Sequence, residues 1–69
     1  METNLETHSF TLTLPTRTTF EDVESIAERQ IVFPHMSREG KSGYADLHVQ
    51  TRLSTNEPGF SKFSGSYKL

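Results

Sequence analysis

The sequence predicts an α+β fold in which one amphipathic helix packs on a small two- to three-stranded sheet, with disordered or loosely packed ends. Three observations predict it. Residues 8–14 and 44–53 alternate apolar with polar side chains at the period of a strand. Between them Phe20, Val23, Ile26, Ala27, Gln30 and Ile31 recur at helical spacing. A length of 69 residues accommodates one small domain at most. That domain is placed at 8–53, with 1–7 and 54–69 as flexible or loosely packed tails.

The elements follow in order. In the first strand Phe10, Leu12 and Leu14 take one face and Ser9, Thr11 and Thr13 the other, and Pro15 closes it because proline cannot donate to a ladder. The helix start is read at Thr18-Thr19-Phe20-Glu21, a T-x-x-E capping box. Glu21, Asp22 and Glu24 then crowd the positive end of the helix dipole. Pro34 is expected to stop the helix, leaving 31–33 as a short β segment and 35–43 as a polar, glycine-bearing loop. In the last strand Ala45, Leu47, Val49, Thr51 and Leu53 point inward, while Tyr44, Asp46, His48, Gln50 and Arg52 form a single wet row. The expected core is Phe10, Leu12, Leu14, Phe20, Val23, Ile26, Ala27, Ile31, Phe33, Leu47, Val49 and Leu53.

Composition narrows the function. With no cysteine, disulfides and thiolate metal sites are excluded. The longest apolar run, Ile31-Val32-Phe33, is far too short for a membrane span, and Glu2 and Glu6 occupy the start where an export signal is positive. A cytoplasmic location is the resulting expectation. The net charge of −2 is unevenly spread: residues 1–35 carry −4 and residues 36–69 carry +2. Neither half is basic enough to predict phosphate-driven nucleic-acid binding, whereas a polarised surface suits a protein partner.

No motif encodes catalysis. Gly40-Lys41-Ser42 matches the end of a phosphate-binding loop, but His35 occupies the position of the required first glycine. His8, His35 and His48 are far apart in sequence and lack metal-ligand spacing, so no metal and no cofactor is expected. The tail interleaves Phe60, Phe63 and Tyr67 with Lys62 and Lys68, a pattern able to stack on bases.

His8-Ser9-Phe10, the helix Thr19-Phe20-Glu21-Asp22 through Ala27-Glu28-Arg29-Gln30, the Val32 and Pro34 exit, and Thr51-Arg52-Leu53 together resemble the small T7-type phage inhibitors of bacterial RNA polymerase. The similarity covers half the chain, and Ser54 stands where that family carries a second arginine. The resemblance implies a non-enzymatic inhibitor, working in a bacterial host cell, that occludes a host protein complex and uses Arg52 and the acidic helix as opposed charges.

The expectation is therefore a small protein-binding module. Tyr44, His48, Gln50 and Arg52 form its contact face, with Glu24 and Glu28 as a secondary acidic strip. The alternative is a small nucleic-acid-binding protein using Phe60, Lys62, Phe63, Tyr67 and Lys68.

Overall fold

The computed structural model describes residues 5–69. Its elements are β1 (Thr7–Pro15), α1 (Phe20–Ala27), a π-helical segment (Glu28–Val32), α2 (Phe33–Glu39), β2 (Ala45–Ser54) and β3 (Phe60–Lys68). The three helical segments run on without a break and pack on a three-stranded antiparallel sheet of order β1-β3-β2. The predicted α+β class is the class observed.

Thr19, one residue later than the expected cap, starts the helix. Its hydroxyl accepts the Asp22 N–H at 3.1 Å, and its extended backbone turns the chain into α1. The expected stop at Pro34 is corrected. Proline lacks an N–H, and in an α-helix its ring would strike the carbonyl four residues back. The chain avoids both problems by widening one turn: the Phe33 N–H bonds to the Glu28 carbonyl, five residues back. Pro34 then sits in the first turn of α2, where no N–H is required. The short β segment expected at 31–33 is therefore helix, and residues 35–39 of the expected loop are helical too. Gly40, at φ 66°, ends α2. The Lys41 N–H to Met36 carbonyl bond (2.9 Å) and the Gly40 N–H to Ser37 carbonyl bond (3.3 Å) form a Schellman closure that needs this left-handed residue.

The largest correction concerns the tail. Residues 60–68, expected to be loose, are the central strand of the sheet, paired with β1 on one side and β2 on the other. Phe63 is fully buried, and Tyr67 and Leu69 nearly so. Directly opposed residues of an antiparallel pair share a face. The register Phe10↔Gly65, Leu12↔Phe63 and Leu14↔Ser61 therefore assembles one inward surface beneath the helix. Phe10, Val23, Ala27, Val32, Phe63, Tyr67 and Leu69 are the buried hydrophobics. Phe20, Phe33 and Leu53, expected inside, are 43%, 45% and 56% exposed. The other expected core residues are half-buried.

Candidate functional site

The wet row expected along residues 44–52 does not survive pairing with β3. Two irregularities break the register of β2, between Ala45 and His48 and between Val49 and Thr51. Each extra residue changes which face the next side chain takes. Asp46, at φ 55°, sits in the first and meets Lys68 in an ion pair of 3.3 Å. After the second, Arg52 is opposite Phe63 on the helix side, and Leu53 is opposite Lys62 on the open side. The five residues are thus divided among three places.

Tyr44 turns toward the helix. Its hydroxyl donates to the Glu28 carboxylate, and its ring meets Phe33 edge-on at 6.4 Å. Glu24 accepts the Val49 N–H at 3.3 Å, a backbone group on the sheet's edge. Tyr44, Glu21, Glu24, Glu28 and Asp46 thereby line an open acidic groove of about 360 Å³ between α1 and β2. Glu24 and Glu28, expected as an acidic strip, share this groove with Tyr44.

His48 and Gln50 remain together on the open face. The Gln50 amide nitrogen lies 3.1 Å from His48 Nε2, and His48 Nδ1 lies 3.0 Å from the Asp46 carbonyl. A carbonyl only accepts, so Nδ1 carries the proton and Nε2 accepts from Gln50.

Arg52 goes to the far end of β2. Its Nη1 donates to the Thr16 carbonyl at 3.4 Å. There Arg17, Arg52, Pro15, Thr16, Gly59 and Phe60 line a mostly apolar cleft of about 530 Å³. Phe60 is 40% exposed at its wall. A sequence separation of 35 positions between the two arginines gave no sign of this meeting.

The tail residues of the nucleic-acid alternative are also divided. Phe63 and Tyr67 are inside the protein, so they offer no face for stacking on a base. Lys62 is exposed, while Lys68 is engaged with Asp46.

Sequence separation also concealed a histidine pair. His8 and His35 stack edge to face at 4.6 Å, and His35 Nδ1 shares a 2.6 Å hydrogen bond with the Tyr67 hydroxyl. Among the described residues no group of three or more His, Asp or Glu side chains is arranged to hold a metal ion.

Two tyrosines have raised pKa values. The hydrogen bond to Glu28 raises Tyr44 above its usual 10.0, helped by burial and by the Glu28 charge. Burial raises Tyr67, opposed by the Arg38 charge. The folded state holds these phenolic protons more tightly than the unfolded chain. Their contribution is complete below about pH 10 and is lost as pH rises beyond it, because the unfolded chain ionises first. Urea unfolding compared at about pH 8 and about pH 11 should show a fall in stability that Tyr44→Phe reduces. An equal alkaline fall in wild type and variant would contradict the Tyr44–Glu28 bond.

Comparison of the chain with known protein families, with characterised proteins and with solved structures gives no match. No helix among the described residues is long and apolar enough to cross a membrane.

Proposed function

We propose that this chain is a small non-enzymatic protein-binding module, an inhibitor of phage type that occludes a host macromolecular complex such as RNA polymerase. The supporting observation is the cleft at Pro15–Arg17, Arg52 and Phe60, where two arginines and a partly exposed aromatic ring line one mostly apolar surface. Aromatic residues and arginine are enriched in protein interfaces, and arginine is among the residue types that carry most of their binding energy. The acidic groove lies near the other end of the same strand. With its two extra residues, β2 from Asp46 to Arg52 runs beside only four to five residues of β3, which places the two poles about 15 Å from one another. A partner with an acidic patch and a basic patch at that spacing would be steered into one orientation. His48 and Gln50 then lie on the open face rather than in the principal contact.

The test is a titration of purified bacterial RNA polymerase with the full chain, read as binding and as transcription. Wild type should bind and inhibit. Arg52→Glu, alone or with Arg17→Glu, should weaken binding by about thirtyfold, the effect of one hot-spot residue. Glu24→Lys with Glu28→Lys should cost about threefold, as for exposed charges. Equal binding by wild type and Arg52→Glu would sink the arginine-cleft reading. Binding to DNA or RNA that weakens steeply with salt would favour the alternative instead.

A further inference from the structure

The two edges of the sheet differ in kind. Glu6 and Leu69 exchange both backbone hydrogen bonds, each 3.0 Å. Such doubly bonded pairs alternate along an antiparallel ladder. In the register of β1 with β3, His8, Phe10, Leu12 and Leu14 therefore turn their N–H and C=O groups toward β3. The Thr16 N–H to Gly59 carbonyl bond, 2.9 Å, continues the same series. Thr7, Ser9, Thr11 and Thr13 turn theirs outward, and β1 pairs with no other strand among the described residues.

β2 is guarded against a further strand. It carries both register shifts, a left-handed residue at Asp46, and a Val49 N–H already taken by Glu24. Bulges, charges and local caps are the usual means of blocking an edge. β1 has none of them before Pro15. It is regular over its length, and Thr7–Pro15 contains no Asp, Glu, Lys or Arg.

We infer that β1 is a self-association edge, to which a second copy of this chain adds its own β1 antiparallel across a two-fold axis. The register that pairs Thr7 with Thr13 and Ser9 with Thr11 engages all the outward residues of both copies. It also leaves out Pro15, which has no N–H and whose carbonyl is taken by Thr18 at 2.9 Å. In this register Phe10 faces Phe10 at the axis, in the non-hydrogen-bonded position where side chains approach most closely. Leu12, half-buried in one copy, gains cover opposite His8. Charge favours a second copy as the occupant. The acidic groove lies against β2, at the opposite edge, so two copies meeting at β1 bring uncharged strands together. The pairing ends at Thr13 and is argued from the β1 edge alone, not from the arginine cleft, so it does not rest on the function proposed above.

Sedimentation of the full chain from about 1 μM to about 1 mM should show a reversible monomer–dimer equilibrium. Amide exchange at Ser9, Thr11 and Thr13 should slow as concentration rises. Ser9→Lys with Thr11→Lys places lysines directly opposite each other twice, and should raise the dimer dissociation constant about tenfold or more. Ser9→Lys with Thr11→Glu creates opposite charges at the same positions and should restore the dimer. All these side chains lie on the exposed face, so circular dichroism should show the monomer fold unchanged. A monomer at every concentration, protection confined to other amides, or an unaffected double-lysine variant would each overturn the proposal. Should the double-lysine protein fail to fold, exchange in the wild type decides alone.

Discussion

Phe63→Ala should remove most of the stability of this protein. Phe63 is fully buried at the middle of β3, opposite Leu12 and edge-on to Phe20 at 6.1 Å. Truncating such a ring costs about 3–5 kcal/mol, through lost transfer energy and the cavity left behind. A domain of this length has about 3–10 kcal/mol in total. The variant is therefore expected to be largely unfolded or to unfold at very low urea. Phe60→Ala, three residues earlier on the same strand but 40% exposed, should cost about 1 kcal/mol or less. Urea titration followed by far-ultraviolet circular dichroism separates the two. A midpoint for Phe63→Ala equal to that of wild type would contradict the central placement of β3.

Why the sequence concealed that strand is a matter of what a covered central strand requires. β3 faces the helix with Ser61, Phe63, Gly65 and Tyr67, only two of which are large and apolar. Its backbone groups are satisfied on both sides, so hydrogen bonding holds it without a long hydrophobic run. The glycines and serines that read as a loose tail are the small residues on which the neighbours close. β1 and β2 were legible because their alternation is carried by their own side chains. The helix was legible as far as Ile31, and its continuation left a trace. Val23, Ala27, Val32 and Met36 are spaced by four, five and four, and the middle interval is the widened π turn ahead of Pro34.

The site was less legible, because its geometry depends on register. The single row from Tyr44 to Arg52 presumes an unbroken period of two, and the two extra residues of β2 appear only when it is laid against β3. Aspartate tolerates left-handed backbone better than most residues, which is the one local hint at Asp46. Nothing local could bring Arg52 beside Arg17, or His8 against His35. Both join residues far apart in sequence: the strand order β1-β3-β2 brings the arginines to one cleft, and the seating of α2 on the sheet brings His35 to His8 and Tyr67.

Gly65→Ala should lower stability by about 3 kcal/mol or more, the upper range for forcing atoms into a filled interior. At Gly65 the bulged strand β2 and the Phe10 ring both close on β3. A Cβ there would collide with the His48 backbone carbonyl and stand 2.6 Å from the Phe10 ring. The ring is the end of a side chain and can turn, but the carbonyl is fixed between the two irregularities of β2. Phe10→Leu in the same chain should therefore not restore stability. Gly43→Ala provides the control, since a Cβ at Gly43 meets nothing within 4 Å. About 1 kcal/mol moves the melting temperature of a domain this small by about 4–8 °C. Gly65→Ala should thus fall by about 12 °C or more, while Gly43→Ala stays within a few degrees of wild type. Equal melting temperatures for the two variants would mean that β2 and Phe10 do not meet over Gly65. The register that sets Phe10 and Val49 on either side of Gly65 would then need revision, because the close approach follows from it.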